Sequence, residues 1–179
     1  MTTHDSGSGS DGSSDKRLTH IDSRGQARMV DISHKDTTVR TAVASSVVTT
    51  TADVIDAIRT GRVPKGDVAA VVRIAGIMAA KQTHTLIPLC HPVPLDAVQI
   101  ELEFPSDTTA RIVATCTCEA RTGVEMEALT AASIGALALY DMCKALDRGI
   151  VIGPVQLELK TGGKTGAWMG NSNHAVTPD

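Results

Sequence analysis

The chain reads as one α+β domain with polar tails, and three observations predict it. Stretches that are crowded with β-branched residues or alternate in period two lie at 38–51, 98–104, 110–118 and 155–159. Two longer stretches between them carry apolar residues at helical spacing without an internal proline. At 179 residues the chain can bury one sizeable core but is short for two.

Residues 38–51 are dense in Val and Thr and predict the first strand. Val54, Ile55 and Ile58 then follow a helical spacing that Gly61 closes, predicting a short helix. Asp67 is placed to cap a second helix whose stripe Val68, Val71, Val72, Ala75, Met78 and Ala79 predicts a largely buried element ending before Pro88. Residues 98–104 and 110–118, separated by Pro-Ser-Asp-Thr-Thr, predict a hairpin. From Glu125 to about Leu146 the set Met126, Leu129, Ser133, Ala136, Leu137 and Tyr140 gives the clearest helix, its alanines permitting close packing on a sheet. A last strand at 155–159 precedes a glycine-rich loop at 160–166. Strand, helices, two strands, helix, strand is the order of a split β-α-β, ferredoxin-like fold: a four-stranded antiparallel sheet with helices packed on one face. Residues 1–17, rich in Ser, Gly and Asp, are expected to be a disordered tail, 18–166 the domain, and 167–179 a flexible tail.

Composition narrows the function. One Trp, one Tyr and one Phe leave few platforms for stacking nucleobases, and a net charge of −3 gives no global field that attracts nucleic acid or an anionic membrane. No apolar run reaches the roughly 20 residues a membrane helix needs, and the N-terminus lacks the pattern of a secretory signal, so a cytoplasmic protein with reduced cysteines is expected. Any anionic ligand must be held by locally clustered cations.

Several short segments offer such chemistry, each with a plain alternative. Lys65-Gly66-Asp67 stands where an ammonium and free helix amides hold phosphate, or where a solvated lysine simply enters a helix. Asp141 and Lys144 share a helix face, as an ordinary ion pair or as a proton-exchanging lysine whose pKa other cations depress. Cys90-His91 leaves the second helix into a loop, where His91 either moves a proton or is structural. Glu125 and Glu127 open the long helix, where the helix dipole alone favours them. The loop 160–166 carries two lysines and three glycines suited to wrapping oxyanions, yet Glu158 occupies the first glycine position of a P-loop, which excludes that motif. Cys116 and Cys118 share a strand face with a spacing poor for zinc, so buried thiols are the better reading and no metal site is expected. Glu125 and Asp141 are sixteen residues apart, about 24 Å along a straight helix at about 1.5 Å per residue. If both serve one small site, they must meet through a second subunit.

The wording of these segments resembles the MoaC family almost throughout 18–166. The matching stretches are LTHID at 18–22, ARMVDIS at 27–33, KGDV at 65–68, RIAGI at 73–77, LIPLCHP at 86–92, TGVEMEAL at 122–129, YDMCKA at 140–145 and KTGGK at 160–164. The resemblance implies a ferredoxin-like subunit in a homohexamer built as a trimer of dimers, with active sites at the dimer interface. It also implies conversion of a cyclised dihydro-GTP intermediate to cyclic pyranopterin monophosphate with loss of pyrophosphate, in molybdenum cofactor biosynthesis. No redox cofactor is implied, and Mg²⁺ with the substrate phosphates stays open. Carried onto matching positions, the catalytic residues are Lys65, Lys144, Asp141 and His91, and the substrate-binding ones Arg40, Cys90, Glu125, Met126, Glu127 and Lys160. Thr161 and Thr165 stand where the family often has Ser, which keeps the hydroxyls. A nucleotide-binding module without catalysis, an RNA-recognition module and a thiolate zinc protein are the rival expectations.

Overall fold

The computed structural model describes residues 24–164 and 166–170. The expected N-terminal tail, 1–17, lies outside the described residues. The described residues 24–30 belong to one unit, and Asp31 begins a second, which carries every element below.

That unit is α+β, with one antiparallel sheet of five strands and four helices among the described residues. In chain order these are β1 (Thr38–Thr49), α1 (Ala52–Arg59), α2 (Val68–Lys81), α3 (Thr83–Leu86), β2 (Ala97–Ser106), β3 (Thr109–Ala120), α4 (Glu125–Cys143), β4 (Val151–Thr161) and β5 (Trp168–Met169). The sheet order is β2-β3-β1-β4-β5. Four strands were expected. The fifth arises because the glycine-rich loop turns the chain back, so that Trp168 pairs with Lys160 and Met169 with Leu159. It therefore falls within the segment 167–179 expected to be a flexible tail, of which 171–179 lie outside the described residues.

Period-two alternation sorts the central strands into two faces. Ala42, Ala44, Ser46 and Val48 of β1 and Ala110, Ile112, Ala114, Cys116 and Cys118 of β3 point inward and are buried. The helix α4 lies on them with Ala128, Ala131, Ala132, Gly135, Ala136 and Leu139. Small residues set the spacing: a Cβ at Gly135 would come 3.0 Å from Ile112 Cγ2, and one at Gly76 of α2 would come 2.9 Å from Ile100 Cδ1. Since Ile100 and Ile112 point to the same side, α2 and α4 cover the same face of the sheet. Close approach of Ala and Gly surfaces lets a core almost without aromatic rings reach normal density.

Asp67 caps α2 as its position predicts, its side chain accepting from the Ala70 amide at 3.0 Å. The helix ends at Lys81, with the short α3 continuing toward Pro88. It is less buried than its stripe predicts. Val68, Val72, Gly76, Ala79 and Ala80 face the core, whereas Val71, Ile74 and Met78 project outward, Met78 being 62% exposed. Leu137 of α4 is likewise exposed. Two apolar sides on one helix obscure which side the core takes, and the pattern alone favours burial of both.

The opposite sheet face carries a charged network. Arg111 donates to Glu158 at 2.5 and 2.6 Å and to Glu103 at 2.6 Å, and Ser45 donates to Glu158 at 2.5 Å. Burial works against ionisation of Glu158, yet the Arg111 and Ser45 hydrogen bonds hold its carboxyl below its ordinary value. A register shift of β4 against β1 leaves Glu158 without a partner opposite and sets Lys160 opposite the inward-facing Ala42.

Candidate active site

The residues picked from sequence gather at the two ends of α4. At its C-terminal end, Lys65 reaches across from the turn before α2, donating to the Asp141 backbone carbonyl at 2.6 Å and to its Oδ2 at 2.8 Å. Lys144 Nζ lies 2.8 Å from the other carboxylate oxygen, Oδ1. One carboxylate thus holds two ammonium groups, and all three side chains remain open to solvent. Hydrogen bonds from Lys144 and then Lys65 pull the Asp141 carboxyl down to about 2. The same contact pushes Lys144 up. That corrects the expected depression: within a single chain, the hydrogen bond and charge of Asp141 outweigh desolvation of the ammonium.

At the N-terminal end, the side chain of Glu125 lies 3.7 Å from Lys160 Nζ. Arg40 pairs in register with Cys118, and Lys160 with Ala42, so the two cations stand on adjacent strands on the helix side of the sheet. Gly162 and Gly163 bring the loop after β4 against them. Both have positive φ, and a Cβ would come 2.2 Å from the Val39 carbonyl oxygen at Gly162 and 2.0 Å from Arg40 Nη1 at Gly163. Behind Glu125, Glu127 is 4% exposed, and Met126 faces outward. Cys90, in the loop after α3, has its thiol pushed up by burial and by the charge of Glu127. His91 follows it and is half-buried. Burial drives Cys116 up to about 12 and Cys118 up to about 11, so both are protonated thiols near neutral pH. Among the described residues no three His, Cys, Asp or Glu side chains converge as a metal site would need.

Arg40, Glu125 and Lys160 line an open cavity of about 440 Å³ that sequence reading did not delimit. Its walls add Lys35, Arg121 and Lys164. Lys164 was visible as part of a basic loop. Lys35 and Arg121 carry no local signal, because only the pairing of β1 with β3 and β4 brings their ends together.

Residues 125–143 form one uninterrupted helix, so the Asp141 cluster and the Glu125 cluster stand at its opposite ends, about 24 Å apart at about 1.5 Å per residue.

The MoaC family profile matches residues 29–163, which takes in both clusters. The chain belongs to the MoaC family. Relatives named cyclic pyranopterin monophosphate synthase are similar over nearly their whole lengths. The one from Streptomyces coelicolor is 53% identical over 94% of this chain and 98% of its own. The one from Novosphingobium aromaticivorans is 54% identical over 84% and 96%, and that from Brevibacillus brevis 51% over 84% and 94%.

Within this MoaC-family chain, Glu127 is the most deeply buried of the sequence-selected carboxylates and cations. Burial raises its carboxyl above the ordinary value and Glu125 acts in the same direction, offset in part by its own backbone amide. The folded protein therefore binds that proton more tightly than the unfolded chain does. The resulting stabilisation is fully present at acid pH and is lost as pH rises from the unfolded value of about 4.3 through the higher folded one. Glu127→Gln removes the buried charge and is expected to raise the melting temperature at neutral pH by about 2–4 °C, corresponding to about 1 kcal/mol. The gain should vanish below pH of about 4, where the wild-type carboxyl is protonated in both states. Thermal melts at the two pH values check this, and an unchanged or lowered neutral-pH melting temperature contradicts it.

Proposed function

We propose that the protein is a cyclic pyranopterin monophosphate synthase of molybdenum cofactor biosynthesis, converting 3′,8-cyclo-7,8-dihydro-GTP to cyclic pyranopterin monophosphate and pyrophosphate. The observation that carries this reading is the pairing of Lys65 and Lys144 on Asp141, in a chain 51–54% identical to relatives bearing that name. The reaction opens a purine-derived ring, rebuilds it as a pterin, and forms a phosphate ester bond at the α-phosphorus while the bond to pyrophosphate breaks. Proton transfers and stabilisation of departing oxygens are both needed, and two lysines on one carboxylate serve both. Asp141 orients the ammonium groups. Lys144, held charged, stabilises developing negative charge, while Lys65, whose Nζ also touches a backbone carbonyl, exchanges protons when substrate displaces it. His91 acts as a second proton carrier, and Arg40, Lys160, Glu125, Met126, Glu127 and Cys90 form the substrate-binding wall. None of these steps calls for a redox cofactor.

The sheet order β2-β3-β1-β4 with two split β-α-β crossovers supports a ferredoxin-like fold, to which β5 is an added edge. The separation of the two clusters supports active sites shared between subunits. The outward apolar side chains Val71, Ile74, Met78 and Leu137 support a helix face covered in an assembly, here a homohexamer as a trimer of dimers. No helix among the described residues is long and apolar enough to cross a membrane, and a cytoplasmic place for the 18–166 catalytic domain fits a nucleotide-derived substrate.

Purified protein incubated with freshly generated cyclised dihydro-GTP is expected to yield cyclic pyranopterin monophosphate and pyrophosphate in equal amounts. Binding of the intermediate without conversion would replace the synthase with a nucleotide-binding module.

A further inference from the structure

We infer that Glu158 is a positioning residue for Lys160: Arg111 and Ser45 pin its carboxylate on the sheet face opposite α4, and this holds the bulge in β4 that delivers Lys160 to the substrate wall. The inference rests on the synthase reading above, in which Lys160 binds substrate.

The residues of β4 by themselves favour an unbroken ladder. Val-Gln-Leu-Glu-Leu-Lys at 155–160 alternates apolar and polar, and Leu157 lies opposite the inward-facing Ala44. Continued regularly from there, Glu158 would oppose Val43, Leu159 would enter the core opposite Ala42, and Lys160 would oppose Thr41 on the face away from α4. The observed pairing is one residue out of step, with Leu159 opposite Val43 and Lys160 opposite Ala42. Such a slip exchanges faces. Leu159 leaves the core side, and Lys160 gains the side of α4, where its Nζ lies 3.7 Å from Glu125.

Forgoing the burial of a leucine needs an offsetting interaction, and it lies at the bulged residue itself. The Glu158 carboxylate accepts from Arg111 at 2.5 and 2.6 Å and from Ser45 at 2.5 Å. Ser45 pairs with Gln156, and Arg111 with Val47, so both draw Glu158 back along β4, away from the Val43 position of a regular ladder. Arg111 is fixed in turn by Glu103, so the four long strands each contribute one side chain to the clamp. Ser45 is 1% exposed, and these charge-assisted bonds are little weakened by solvent. On the other side of β4, the Gly170 amide donates to the Glu158 carbonyl at 2.8 Å and fixes the bulge from β5.

Glu158→Ala removes the clamp, and Glu158→Gln keeps its volume while losing the charge that binds Arg111 through two oxygens. Trace acetylation of the full-length protein, read by mass spectrometry, measures the reactivity of Lys160 against that of Lys81, an exposed lysine at the end of α2. Lys160 is expected to label at least about threefold faster in Glu158→Ala and about twofold faster in Glu158→Gln, as the ladder turns it away from Glu125. In steady-state assays, KM for the cyclised intermediate is expected to rise at least about tenfold in Glu158→Ala with kcat within about threefold of wild type. Mere loss of folded protein lowers kcat and leaves KM unmoved, which separates positioning from stability. Should Glu158→Ala melt well below wild type, Glu158→Gln carries the same test, with KM raised about threefold. Labelling of Lys160 within about 1.5-fold of wild type in both variants, or an unmoved KM, overturns the positioning role. Because labelling needs no turnover, the two readings separate. Faster labelling in the variants of a protein that converts no intermediate rejects the synthase alone. Conversion by the wild type with labelling and KM unmoved in the variants rejects the positioning role alone.

Discussion

Replacing Lys65 or Lys144 with Ala is expected to lower turnover of the cyclised intermediate by at least about 10³-fold while leaving the fold intact. Lys65 and Lys144 share the Asp141 carboxylate, and each is half-exposed, so truncation removes no core packing. A positioned acid or base contributes about 10²–10⁴-fold, and charge stabilisation of a leaving group a comparable factor. One lysine engaged in either role therefore accounts for nearly all measurable activity. The pH profile separates the two roles. Asp141 lies near 2 and Lys144 is pushed up, so the ion pair persists across neutral pH, and loss of activity on the acid side must come from another group. Single-turnover assays with melting curves alongside provide the check. A variant with normal melting and more than about a tenth of wild-type rate would remove its lysine from the chemistry.

Mixing two inactive variants is expected to restore activity. Glu125, Lys160 and Arg40 stand at one end of α4 and Lys65, Asp141 and Lys144 at the other, so a compact site that uses both sets, as proposed, would take one from each of two subunits. In a two-fold dimer of Lys65→Ala and Lys160→Ala chains, one interfacial site carries both lesions and the other carries neither. Random reassembly makes about half of the dimers mixed, so about a quarter of wild-type activity returns from two preparations that alone are near zero. The pair must first be dissociated and refolded together. Equal activity before and after reassembly contradicts a shared site and confines the chemistry to one chain.

Much of this arrangement is legible from residue order, and the illegible parts have physical causes. Alternation in 98–104 and 110–118, the Asp67 cap and the proline-free alanine-rich helix identify elements because each depends on neighbours a few residues away. Helical rise alone separates Glu125 from Asp141. Lys65 meeting Asp141 joins residues 76 apart, and nothing local announces it. The outward Val71, Ile74 and Met78 show the limit of periodicity: apolar spacing says that a face is covered, not which molecule covers it. The strand Trp168–Met169 is illegible because two residues cannot display a period, and glycines that look like a linker instead turn the chain back along β4. The direction of the Lys144 shift depends on the distance to a single carboxylate, which spacing does not supply.

The shortage of aromatic residues gives the chain an optical simplicity. Its one Trp, Trp168, stands partly exposed on the short edge strand directly across from Lys160, which lines the basic cavity, and the rest of the molecule contributes one Tyr and one Phe. Indole emission from the unlabelled protein therefore reports on one place. A ligand that draws Lys160 inward or tightens the glycine turn changes the polarity around that ring, so occupancy of the cavity becomes a fluorescence signal with no background from elsewhere in the fold.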